Sequence, residues 1–156
     1  MAGKIETRLT ELSIELPKAA TPVGNYVAYV VTGNLVFVSG QLPLVNGELK
    51  YKGKVGADVS LEDGQAAARA CAMNLVAQVR AACGGSLDRV RRVVKLCGFV
   101  NSNPDFTQQA NVINGASDFM VQIFGDAGKH ARAAVSCPTL PLGAAVEIDA
   151  VFEIER

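Results

Sequence analysis

Two ionisable side chains near the C-terminus have the chemistry that a site for a small carboxylate needs. Arg132 carries a planar guanidinium whose paired N–H groups match a carboxylate, a geometry that an ammonium group does not offer. Glu147 could position or deprotonate a water molecule that attacks a nearby carbon. Each residue also has a simpler interpretation. Arg132 could form a salt bridge with Glu147 or Asp149 across adjacent strands, and Glu147 could be a solvated strand carboxylate.

The remaining reactive residue types exclude several classes of site. The only histidine is His130, so a histidine metal centre or a serine–histidine–aspartate relay would depend on a single ring. His130 precedes Arg132 by two residues and would either tune the same pocket as a proton donor or lie at a surface or interface. We predict no bound metal. The four cysteines are too scattered for a CxxC metal motif and are interpreted as small buried residues: Cys71, Cys83, Cys97 and Cys137.

Composition limits the size of the protein and its partners. The 156 residues, 49% of them hydrophobic, fit one domain with a substantial core. Fifteen basic and fifteen acidic residues give a net charge of zero, which disfavours nucleic acid and anionic membranes as partners. A basic run from Arg89 to Lys95 is interpreted as a solvated strand edge. Residues 1–20 lack the features of a secretory signal, so we expect a cytoplasmic protein that does not bind a membrane.

Hydrophobic periodicity predicts an α+β domain that follows an N-terminal extension. Residues 1–16 form the extension, which has apolar residues at helical spacing, and residues 17–156 form the domain. Ser60 is a helix N-cap followed by acidic residues, and Gly84-Gly85 ends that helix. The predicted order is β-β-α-β-α-β-β, with both helices on one face of the sheet. The elements are strands at 26–31 and 35–39, a helix from Ser60 to Cys83, a strand near 91–100, a helix at about 107–124, and strands at 130–137 and 144–154.

The last two strands predict where the candidate residues lie. In the final strand the residues from Val146 to Ile154 alternate, with apolar side chains on one side and Glu147 and Asp149 on the other. The preceding strand also alternates, and its polar side carries His130, Arg132, Ala134 and Ser136. If the two polar sides coincide, Arg132 and Glu147 share one sheet face, which a second subunit would cover.

Several short motifs together resemble one known family. They occur in that family's order and at closely similar spacing, from about residue 17 to the C-terminus. The motifs are Gly24-Asn25-Tyr26-Val27, Val38-Ser39-Gly40-Gln41-Leu42-Pro43, Ala131-Arg132, Leu140-Pro141 and Val146-Glu147-Ile148. The chain is similar to the Rid family, also called YjgF or reactive intermediate deaminases, and to its longer members in particular.

This resemblance implies a chorismate-mutase-like fold, a homotrimer and active sites between subunits. It further implies hydrolysis of 2-imino and enamine acids of the 2-aminoacrylate type to 2-keto acids and ammonia, without a cofactor. Arg132 matches the family arginine that holds the substrate carboxylate, and Glu147 matches the glutamate that orients water. The pocket-lining positions implied by the family are Tyr26, Ser39, Asn114 and Ala134.

Three departures from the family pattern leave the substrate open. Ala134 replaces a frequent cysteine, so only its backbone carbonyl could serve there, and His130 replaces a proline before Ala131-Arg132 and follows a longer loop. The N-terminal extension is not typical of the short members. A non-catalytic module or sensor that binds a small carboxylate would use Arg132 equally well but would not need Glu147. An endoribonuclease or translation inhibitor is the weaker alternative, because the chain lacks a second histidine for general acid and base catalysis.

Overall fold

A computed structural model describes residues 2–156 as a mixed α+β fold with three α-helices. Each predicted element of the domain is present. The largest difference between a predicted and an observed boundary is at β1, which begins at Tyr29 rather than at Tyr26. The elements are α1 Lys4–Glu11, β1 Tyr29–Thr32, β2 Leu35–Gln41, β3 Leu44–Val45, β4 Glu48–Leu49, α2 Leu61–Ala82, β5 Val90–Asn101, α3 Gln109–Phe124, β6 Ala131–Cys137 and β7 Val146–Ile154.

Five strands form the main sheet in the order β1-β2-β7-β5-β6. All neighbouring pairs are antiparallel except β5 and β6, which run parallel because α3 carries the chain back between them. Strand β6 is therefore an edge strand. The short strands β3 and β4 form a separate ribbon.

Helix α2 begins where the sequence predicts. The Ser60 side chain accepts a hydrogen bond from the Asp63 backbone N–H at 3.1 Å, and Glu62 and Asp63 favour the positive end of the helix dipole. The helix ends at Ala82, ahead of Gly84 and Gly85, whose φ angles are positive. One side of the helix is buried in the core at Ala68, Cys71, Leu75 and Val79.

Helices α2 and α3 cover one face of the sheet, as predicted, and the other face is called the open face below. The alternate residues of β7 from Val146 to Ile154 are buried beneath the helices, and the residues between them lie on the open face. Close packing of the helix layer depends on glycine. A Cβ atom on Gly115 would collide with the Gln65 backbone in α2, and one on Gly98 would lie 2.5 Å from Ile113. Because glycine has no side chain at these two positions, α3 can pack close to both α2 and β5.

The N-terminal segment packs onto this domain. Asp88 caps α1 by accepting hydrogen bonds from the backbone N–H groups of Lys4 and Ile5, both at 2.8 Å. The helix ends before Ser13, which has a φ of 55°, so it is shorter than the spacing of its apolar residues suggests. Leu9 and Leu16 are nevertheless buried in the same core as the sheet and helices. The division of the chain at residue 16 stays a prediction.

The register of β6 contradicts the expectation that Arg132 and Glu147 share a sheet face. Arg132 is paired with Leu96 and Ala134 with Gly98, and those β5 residues point toward the helices. Glu147 is paired with Phe99 on the open face. Ser136 also lies on the helix side, where Gln109 of α3 donates a hydrogen bond to its hydroxyl at 2.8 Å. The polar side of β6 thus faces α3, because α3 supplies partners for its polar groups.

Candidate functional site

The candidate residues form two separate groups. The first, called the arginine half-site, consists of Arg132 and His130 with Asn114 and Ser117 of α3. The second, called the glutamate half-site, consists of Glu147, Ser39, Gly40 and Tyr26. The strand pairing separates the Cα atoms of Arg132 and Glu147 by about 14 Å on opposite faces of the sheet. One chain therefore cannot bring both side chains onto one small molecule.

Neutral groups hold the guanidinium of Arg132. Its Nη1 donates to the Asn114 side-chain oxygen at 2.7 Å and to the Ser117 hydroxyl at 3.2 Å. Within residues 2–156, no carboxylate oxygen lies within 4.0 Å of Arg132, so the alternative of a salt bridge to Glu147 or Asp149 is wrong. The half-buried cation remains without a counter-charge at the edge strand.

Ser117 and His130 complete the arginine half-site. The Gly128 carbonyl can only accept, so the Nδ1 of His130 donates to it, at 2.6 Å. In the neutral ring Nε2 then accepts the Ser117 hydroxyl proton, at 2.8 Å, which leaves the Ser117 oxygen free to accept from Arg132. The motifs did not identify Ser117. The sequence could have indicated Ser117, because it lies three residues after Asn114 and therefore on the same helix face.

Ala134 lies beside this group on the helix side of β6. It is paired with Gly98, and its half-buried methyl packs against the core. The side chain offers no polar group to a ligand, which leaves the backbone carbonyl as the only acceptor at this position. The structure therefore places two of the predicted pocket residues, Asn114 and Ala134, beside Arg132.

Glu147 lies on the open face next to the end of β2. A Cβ atom on Gly40 would lie 2.7 Å from its Oε2, so the carboxylate occupies the space that Gly40 leaves. Gly40 belongs to the Ser39-Gly40-Gln41 motif but was not assigned a role from the sequence. Strands β2 and β7 lose regular pairing between Val38 and Gln41, and this irregularity sets the position of Gly40.

The carboxyl group of Glu147 binds a proton more strongly on the open face than it would in water. Burial, followed by the negative charge of Asp149 two residues along β7, raises the pKa of the Glu147 carboxyl above its ordinary value. Burial also raises the pKa of Asp149, although a hydrogen bond with Cys97 and the charge of Lys95 lower it in part. A carboxylate with a raised pKa is a stronger base than a solvated one, which suits it to accept a proton from water.

Tyr26 and Ser39 line one surface groove of about 270 Å³, together with Gly40. The Ser39 hydroxyl donates to the Val27 carbonyl at 2.8 Å, and its N–H donates to the Ala28 carbonyl. These bonds fix the segment that follows Tyr26 against β2. The Tyr26 side chain is 59% exposed, which leaves it accessible to a ligand in the groove.

Other features of the chain bear on metals, membranes and nucleic acid. No group of three histidine, cysteine or acidic side chains within residues 2–156 is arranged to hold a metal ion. In the same part of the chain, no helix combines the length and apolar character needed to cross a membrane. The basic run on β5 is partly neutralised, since Arg91 pairs with Glu155 at 3.0 Å and Arg92 with Glu153 at 3.4 Å.

Comparison with known families identifies the fold. Residues 6–153 match the family described as "YjgF/chorismate mutase-like, putative endoribonuclease". This chain belongs to the YjgF/chorismate-mutase-like family. The match includes most of the N-terminal segment as well as the two half-sites, so the family fold begins within α1.

Individual proteins and solved structures also resemble the chain over most of its length. "Protein TCP17" of Trypanosoma cruzi is 51% identical over 156 residues, which are 99% of this chain and 97% of that protein. A crystal structure from Agrobacterium tumefaciens, of a protein of unknown function, is 51% identical with a TM-score of 0.91 and covers 97% of this chain and 92% of its own. E. coli TdcF, solved with bound serine, is 26% identical with a TM-score of 0.64 and covers 89% of this chain and 94% of its own.

Proposed function

We propose that this protein hydrolyses reactive 2-imino and enamine acids of the 2-aminoacrylate type to 2-keto acids and ammonia. The observation that carries the proposal is the state of Arg132, whose guanidinium is fixed through Nη1 by two neutral side chains and has no acid partner among the described residues. A positioned cation without a counter-charge is suited to a substrate carboxylate, which can accept paired hydrogen bonds from the remaining N–H groups. The structure with bound serine lends support, because E. coli TdcF is solved with a small amino acid.

In the proposed reaction, water adds to the imine carbon. Glu147 accepts a proton from the water molecule as the water oxygen bonds to C2, and the imine nitrogen takes up this proton as the C2=N bond becomes a single bond. Glu147 then transfers the hydroxyl proton of this carbinolamine to the nitrogen as the C2–N bond breaks, so ammonia leaves and C2 becomes the carbonyl carbon of the 2-keto acid. An enamine first tautomerises to the imine by gaining a proton at C3 and losing one from its nitrogen. No electron donor or acceptor is needed, since the steps are hydration and elimination.

The separation of the two half-sites leads us to propose that the active site forms between subunits of a homotrimer. Arg132 of one copy would hold the carboxylate, and Glu147 of the next copy would act on the imine carbon. The open face that carries Glu147 also exposes apolar side chains, with Val30 at 52%, Phe37 at 46% and Val135 at 48%. An exposed apolar surface of this kind favours contact with another copy of the chain.

A non-catalytic carboxylate-binding module is the second candidate, because the arginine half-site alone could hold such a ligand. The endoribonuclease function in the family description receives less support from this chain. Its basic run on β5 is partly engaged in ion pairs, and its single histidine is held by Ser117 and Gly128. A nuclease would need free cationic groups for phosphates and an acid and a base for cleavage.

Two measurements separate the deaminase from the carboxylate-binding module, and an RNA-cleavage assay tests the nuclease. The first compares the decay of freshly generated 2-aminoacrylate with and without the protein, and the second measures equilibrium binding of 2-ketobutyrate. The deaminase proposal expects both acceleration and binding, and expects both to be lost in Arg132→Ala. Binding without acceleration favours the module, whereas cleavage of RNA by a sample that does neither favours the nuclease.

A further inference from the structure

Leu142 is the most unusual apolar residue next to the glutamate half-site. It lies in the connection between β6 and β7, where its side chain is 72% exposed. Its backbone adopts φ 59° and ψ 13°, a left-handed conformation that is uncommon for a branched side chain. An exposed leucine in this conformation contributes little to the core and is disfavoured locally, so the stability of the fold does not explain it.

Backbone hydrogen bonds on both sides of Leu142 fix the turn from which its side chain projects. The Gly143 N–H donates to the Leu140 carbonyl at 3.0 Å, and the Ala144 N–H donates to the Pro141 carbonyl at 3.1 Å. The Gly143 carbonyl accepts from the Gly53 N–H at 2.9 Å, which ties the turn to the loop before α2. The leucine is therefore presented by a rigid turn rather than by a free loop.

Leu142 lines the groove that also contains Tyr26, Ser39 and Gly40. Among residues 2–156, no acidic or basic side chain lines this groove, and its other walls are mainly apolar: Ala20, Pro22, Val23, Ala28, Leu42 and Leu44. Gly40 connects the groove with Glu147, since the carboxylate lies against it. A molecule that reaches Glu147 can therefore place an uncharged substituent against Leu142.

We infer that Leu142 is a specificity-determining residue that selects 2-imino acids with bulky apolar side chains, such as the imine of leucine, over the small imine of alanine. This inference rests on the proposed function, because it assigns the substrate side chain to the groove beside Glu147. A charged side chain would lose hydration there without gaining a partner. A larger apolar side chain gains contact with Leu142, and contacts of this size discriminate by about tenfold to a few hundredfold.

The test compares two substrates in wild type and three variants. An amino-acid oxidase generates the imines of leucine and alanine in situ, and the protein's effect on their decay gives kcat/KM for each. Binding of 4-methyl-2-oxopentanoate and of pyruvate is measured in parallel. Leu142→Asn tolerates the left-handed backbone but removes the apolar surface, and Leu142→Met retains that surface. Asn46→Gly is the control, because Asn46 is another residue with positive φ, at 53°, outside the groove.

We expect wild type to prefer the leucine-derived imine, and we expect Leu142→Asn to lower the ratio of the two kcat/KM values about tenfold. Leu142→Met and Asn46→Gly should retain the ratio. Leu142→Asn with an unchanged ratio, or wild type with no preference, overturns the inference. So does a change of oligomeric mass in Leu142→Asn, which would assign the residue to subunit contact. If wild type binds the keto acids but hydrolyses neither imine, the proposed function fails. The ratio of the affinities for 4-methyl-2-oxopentanoate and pyruvate then tests Leu142: a fall in this ratio in Leu142→Asn supports the selective role, and an unchanged ratio overturns it.

Discussion

Replacing Arg132 tests the proposed site most directly. In the structure its guanidinium is held through Nη1 by Asn114 and Ser117 and has no carboxylate partner within residues 2–156. Arg132→Ala removes the cation that would bind a substrate carboxylate. Loss of one partner from a desolvated charge pair costs about 2–5 kcal/mol, so the affinity for 2-ketobutyrate should fall about 30-fold to several thousand-fold.

The cost to folding should be smaller. The alanine variant loses two hydrogen bonds between a charged donor and neutral acceptors at a half-buried position, and these contribute about 1–3 kcal/mol. That loss lowers the melting temperature by several degrees. Arg132→Lys keeps a positive charge at this position, so its melting temperature should be close to that of wild type. It should still lose at least tenfold in affinity, because a single ammonium cannot keep the Asn114 contact and also offer a paired donor to the ligand.

The assays are calorimetric titration with 2-ketobutyrate and thermal melts of wild type, both variants and a control. Arg91→Lys is the matched control, because Arg91 is an exposed arginine whose ion pair with Glu155 a lysine can retain. It should change neither quantity. If Arg132→Lys retains wild-type affinity, the carboxylate-clamp assignment is refuted. A large fall in melting temperature with unchanged affinity would make Arg132 a structural residue only.

Four further predictions concern the rest of the site. Glu147→Gln should slow imine hydrolysis about 100-fold in a single-turnover assay while 2-ketobutyrate still binds, since the amide keeps the shape but not the basicity. The raised pKa of Glu147 means that its charge opposes folding, so this variant should melt above wild type at neutral pH, and the difference should vanish as the pH falls below the ordinary value of 4.5. Gly40→Ala should slow hydrolysis with little loss of ligand affinity, because the added Cβ displaces the Glu147 carboxylate; an unchanged rate contradicts that role. Leu142→Gly should gain about 0.5–1 kcal/mol in chemical denaturation by relieving the left-handed backbone, and a less stable variant would show that the turn is not strained. Light scattering should give three times the chain mass, and a monomer would contradict the proposed trimer.

The elements of the domain could be predicted because their signals are local. Ser60 and the glycines after Cys83 bound α2 as the sequence indicates, and the alternation of β7 separates its buried residues from its open ones. Both patterns depend on neighbours within a few residues, which the sequence displays directly. The positions of Tyr26 and Ser39 near one another follow from the same reasoning, since the hairpin brings the segment just before β1 beside the end of β2.

The relation between the two half-sites could not be predicted in this way. Alternation assigns Arg132 and Ala134 to one side of β6 and Glu147 to one side of β7, but it does not say whether those sides coincide. Strand β5 lies between them, and its pairing of Leu96 with Arg132 and of Phe99 with Glu147 turns the two residues to opposite faces. The sequence by itself determined the elements and the candidate residues on each, because those depend on local periodicity. Only the tertiary structure decided which candidates meet, because the register across an intervening strand is set by packing between residues far apart in the chain.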